Sequence, residues 1–145
     1  MIDAFSTPQN RTRAFILIAA CCVLAIAAAV LGISDNPPGI ALAFLSAAAL
    51  ILAFVHPWRA VKQFRHLFRA AGIGFIAFAV LHILFDFFAA KSVGSAFLHG
   101  VLNGAGAASL LIAILICPPG LFIGAVGALA MFLRNRHSEK SAPAA

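Results

Sequence analysis

Within the run GFIAFAVLHILFDFF, only His82 and Asp86 can take up or release a proton; everything around them is apolar. Four residues apart on a helix, they fall on one face, with Phe75 and Phe78 along the same stripe. An aspartate at the centre of a lipid-embedded helix costs roughly 2.5 to 3.5 kcal/mol on insertion scales. The pair therefore needs either a task or a partner. One reading makes it a proton or cation relay, or a ligand site. The other makes it a neutral histidine hydrogen-bonded to its own aspartate, serving only to fix helix packing. His99 and Asn103, with Ser109 beyond them, are the polar side chains that next return at a comparable level, and they are the expected partners.

Other chemistries find less support in the residues. A b-type haem needs two axial histidines at similar depth on different helices; His82 with His99, or His56 with His66, are the pairs on offer. Cys21, Cys22 and Cys117 all lie in apolar runs, without a C-x-x-C spacing, and read as small hydrophobes. No phosphate-binding loop, Ser-His-Asp layout or metalloprotease helix occurs. The expectation is a protein with no catalytic residues, no metal site and no cofactor, haem b standing as the alternative.

The elements that would position the pair follow from composition. The chain has 145 residues, 63% hydrophobic and 10% charged, with mean hydropathy +1.07. Soluble domains carry about a quarter charged residues, so the apolar excess must face lipid. About 20 apolar residues cross a bilayer as a helix. Four such spans are expected, at residues 14–33, 39–55, 70–90 and 107–133, between an N-terminal segment 1–13 and a polar tail 134–145. Pro37-Pro38 opens the second span. Cys117-Pro118-Pro119-Gly120 interrupts the fourth, where a kink of more than 20° is expected. The small residues Gly120, Gly124, Gly127 and Ala128 give that span a close-packing face. The fold class is therefore all-α, an integral membrane four-helix bundle with its fourth helix kinked at Pro118-Pro119.

Between the second and third spans, PWRAVKQFRHLFR reads as a short interfacial helix or a positively charged loop. It would set Arg59, Lys62, Arg65 and Arg69 against anionic lipid headgroups. The formal net charge of +6 does not mark a nucleic-acid binder, because the basic residues are split among loops. Nine of the ten Lys and Arg fall on one side of the four-span topology, and only Lys91 falls on the other. Loops rich in Lys and Arg stay cytoplasmic, so both ends are expected in the cytoplasm, with the spans in a bacterial inner membrane.

The phrases DNPPGIAL, GFIAFAVLHILFDFF and CPPGLFIGAVGAL together resemble small bacterial four-span membrane proteins of uncharacterised function. That resemblance implies the same topology and supplies no catalytic residues. The functional expectation is a non-enzymatic accessory or oligomer-forming component of the inner membrane, as a homo-oligomer or within a membrane complex. The alternatives are a small transporter or proton-conducting unit using His82 and Asp86, and an electron-transfer subunit with haem or quinone.

Overall fold

The computed structural model describes residues 6–33, 36–92 and 94–140, the last three without their side chains. Ser34 and Asp35 of the first turn, Val93, and the end of the tail at 141–145 lie outside the described residues. All the regular structure is helical: α1 (Pro8–Leu31), α2 (Pro37–Val55), α3 (Val61–Lys91), α4 (Ala96–Leu111) and α5 (Cys117–Lys140). A π turn over Ile112–Ile116 joins α4 to α5 without a reversal, and Ala96–His137 forms one continuous fourth span. All four spans are long and apolar enough to cross a membrane.

Local chemistry sets the helix ends. The Thr7 hydroxyl accepts from the Asn10 amide at 3.2 Å and starts α1, with Pro8 in the first turn. Gly32 ends that helix at φ 82°, a backbone conformation open to glycine. The Asn36 side-chain amide then donates to the Leu31 carbonyl at 2.8 Å, closing the turn into Pro37. At the start of α3 the Gln63 carbonyl oxygen accepts from the Arg59 and Ala60 amides, each at 3.2 Å. The basic segment is consequently not a separate surface helix. It is the first two to three turns of α3, coaxial with the third span. The segment after Lys91 is likewise already helical from Ala96, and the polar tail continues α5 as far as Lys140.

The prolines at 118 and 119 offer no amide to the preceding turn, and their rings crowd its carbonyls. The π turn meets this directly. The Cys117 amide donates five residues back to the Ile112 carbonyl, which widens the turn just before the prolines.

Side by side, the helices run in the order α1, α2, fourth span, α3; among the described residues α1 packs on α2 alone. Small side chains line the α1–α2 seam, with Ala14 and Ala28 facing Ala43, Ser46, Ala49 and Ala53. The Ser46 hydroxyl donates to the Cys21 carbonyl at 3.0 Å across it. Glycines line the α3–α5 seam. A Cβ at Gly124 would lie 2.8 Å from the Phe68 nitrogen and 2.9 Å from its Cα, and one at Gly127 would run into the Phe64 ring.

Gly124→Ala should therefore cost roughly 1 to 3 kcal/mol, because Phe68 backbone cannot yield to the added methyl. Gly104→Ala meets nothing within 4 Å and should be neutral or stabilising by up to about 1 kcal/mol through helix propensity. Unfolding of both variants in detergent, against the parent protein, checks the contrast.

Candidate functional site

His82 and Asp86 come together where α3 meets α4. Their spacing stacks them on one face of α3, and His82 Nε2 lies 3.5 Å from Asp86 Oδ2. The other ring nitrogen, Nδ1, is 3.1 Å from the Gly106 carbonyl of α4. Gly106 itself makes the approach possible. A Cβ there would lie 2.7 Å from Asp86 Oδ1 and 3.6 Å from His82 Nδ1. None of the expected side chains of the fourth span makes this contact; a backbone carbonyl does. Ser109 turns its hydroxyl back to the Ala105 carbonyl at 2.9 Å, and Asn103 is exposed. The glycine spacing of the segment was the available signal for Gly106, and nothing in it distinguishes this glycine from Gly100 or Gly104.

His99 does not join the pair. Its Nδ1 donates to the Ala89 carbonyl at 2.9 Å, near the end of α3. The two histidines thus bond reciprocally across the seam, His82 from α3 to α4 and His99 from α4 to α3. His66 is exposed on α3, and His56 donates from Nδ1 to the Ala53 carbonyl at 3.0 Å. Among the described residues no group of three or more His, Cys, Asp or Glu is placed to hold a metal ion.

Counted along the apolar run 70–90, His82 falls near the middle and Asp86 nearer the far edge, and neighbouring helices give a second ruler. Ala71 and Ile51 both meet Gly120, so these three residues share a level. Pro37 on α2 and Phe85 on α3 each lie fourteen residues from it, or about 21 Å along their helices. Asp86 is therefore level with the start of α2, with His82 about one turn below it. From Arg69 to Asp86 is about 26 Å, close to the ~30 Å thickness of a hydrocarbon core. On a four-span reading Asp86 falls toward the edge of the apolar layer opposite the basic end, where a carboxylate is less costly than at the centre, and His82 lies about one turn deeper. The His82 side chain is 26% exposed and that of Asp86 50%, so the histidine is turned into the seam and the aspartate stands half open at its edge.

The geometry constrains the proton. A carbonyl can only accept, so Nδ1 of His82 must carry hydrogen. While the ring is neutral, Nε2 presents a lone pair to Asp86, and only a protonated carboxyl can bond to it. If Asp86 is ionised, the favourable partner is an imidazolium.

A double-mutant cycle tests this coupling. His82→Leu alone should cost roughly 0.6 to 1.7 kcal/mol, the range found for hydrogen bonds between membrane helices. His82→Leu with Asp86→Leu should cost less than the sum of the single changes. Additive or silent substitutions in a detergent unfolding titration would show two independent groups. Compared with known proteins, the chain matches no family model, no curated protein and no solved structure.

Proposed function

We propose that this chain is a non-enzymatic component of the bacterial inner membrane that assembles with copies of itself through the α3–α4 face. The observation that supports this reading most is the half-open carboxylate of Asp86, set in a helix whose other exposed side chains there, Ile83, Leu84, Phe87 and Phe88, are apolar. A carboxylate at a lipid-facing edge is tolerated when it is protonated, lifted to the interface or covered by protein. A neighbouring copy supplies the cover. In this reading the row of four helices completes its bundle in the assembly, and the π turn is where the fourth span bends by more than 20°. Both termini are cytoplasmic, following the Lys and Arg bias, and Arg59, Lys62, Arg65 and Arg69 face anionic headgroups on that side.

A second reading, a proton-conducting unit, is favoured by one observation: the locked Nδ1–H of His82, which leaves a single exchangeable proton with Asp86. Several copies would be needed to line a path.

Cysteines placed on a cysteine-free background separate these readings. Ile83 and Val23 are almost equally exposed, at 66% each, on α3 and α1. Disulfide-linked dimers should form in native membranes through Ile83→Cys and not through Val23→Cys. Absence of the Ile83→Cys dimer, with a monomer by light scattering, contradicts the assembly. Proton flux in liposomes that is lost with His82→Ala would favour the second reading. On topology, Lys91→Cys should react with an impermeant thiol reagent from outside intact cells and Lys62→Cys should not; the reverse pattern inverts the protein.

A further inference from the structure

At the basic end of the molecule a notch of about 320 Å³ opens between α1 and the α2–α3 connection, lined by Arg13, Ile16, Leu17, His56 and Arg59. We propose that it binds the phosphate of an anionic phospholipid. The inference rests on the membrane-spanning reading and not on self-assembly.

Two elements distant in sequence bring their guanidinium groups to this one place. Arg59 is held in position. Its Nη1 donates to the His56 carbonyl at 3.4 Å and to the Trp58 carbonyl at 3.3 Å, which leaves its other donors for an anion. Guanidinium groups match phosphate oxygens with paired donors, so two of them flanking a notch suit a phosphodiester better than a point charge would. Arg65 and Arg69 line a pocket of about 260 Å³ against α5, but both come from one helix and no histidine shares it.

His56 supplies a second, independent observation. Its Nδ1–H is used on the Ala53 carbonyl, and its Nε2 is enclosed without a hydrogen-bond partner. Buried polar atoms in this condition call for an explanation. The same ring lines the notch, so the unsatisfied atom belongs to the wall of this site.

The apolar wall identifies the ligand as a lipid. Ile16 and Leu17 begin the apolar run of α1, and Ile16 is 62% exposed. His56 lies only five residues beyond Ile51, toward the end of α2 that carries the basic loop. A phosphate in the notch would therefore have its acyl chains directed along α1, toward the apolar layer. A free phosphate would use the arginines and leave that wall bare.

The test uses the full chain, delipidated in neutral detergent and titrated with phosphatidylglycerol, with phosphatidylcholine of the same chains, or with inorganic phosphate, while thermal unfolding is followed. Phosphatidylglycerol should stabilise the parent protein, and the other two should not. Arg13→Gln with Arg59→Gln should weaken the phosphatidylglycerol response by about thirtyfold in concentration. Arg11→Gln with Arg136→Gln removes the same charge outside the notch and should stay within about threefold of the parent. Equal stabilisation by both lipids overturns the proposal, as does an equal loss in the two double variants. Reproduction of the effect by inorganic phosphate overturns the lipid assignment.

Discussion

The structure depends on how closely the fourth span can approach α3. Between helices in lipid there is no hydrophobic force to draw apolar faces together, so association rests on close packing and on hydrogen bonds. Gly124 and Gly127 let the backbone of α5 lie against Phe68 and Phe64, and Gly120 meets Ala71. Higher on the same seam Gly106 does for His82 and Asp86 what Gly124 does for Phe68. The prolines threaten this seam, since a helix stopped at residue 117 would never bring both ends of the fourth span onto α3. The π turn at Ile112–Ile116 lets the helix continue through them.

Packing and proton chemistry are thereby linked. The close approach delivers the Gly106 carbonyl to His82, that carbonyl fixes the hydrogen on Nδ1, and the fixed tautomer sets what Nε2 can offer Asp86. Any movement that separates α3 from α4 removes the Gly106 acceptor and frees the ring to exchange tautomers. His99 reinforces the seam from the opposite direction through the Ala89 carbonyl. A site built in this way joins helix contact to charge, whether its biological use is assembly or proton transfer.

Much of this was legible in the residues, for definable reasons. Span number follows from apolar length, a constraint set by the bilayer, and the double proline at 37 and 38 marks a helix start because first-turn amides need no intrahelical partner. The i, i+4 spacing of His82 and Asp86 predicts their contact. Gly106 was not legible, since a backbone acceptor leaves no side-chain signature. Counted along α3, His82 falls near mid-membrane and Asp86 nearer the outer surface, and the match of Ile51, Ala71 and Gly120 adds that Phe85 is level with the start of α2. The continuity of α3 from Val61 was hidden by its arginines, which suggest a surface helix although Arg, Lys and Gln are also good formers of a helix that simply extends past the lipid.

The claim on which these links converge is that Nδ1 of His82 is the nitrogen that carries hydrogen toward the Gly106 carbonyl. Nitrogen-15 NMR of histidine-labelled protein in lipid nanodiscs, with His82 assigned by comparison with His82→Leu, reads the tautomer directly. The account predicts that Nδ1 carries hydrogen across the titration, with Nε2 either bare or protonated as well. A neutral His82 carrying its hydrogen on Nε2 alone would contradict it, because the Gly106 carbonyl would then face a lone pair.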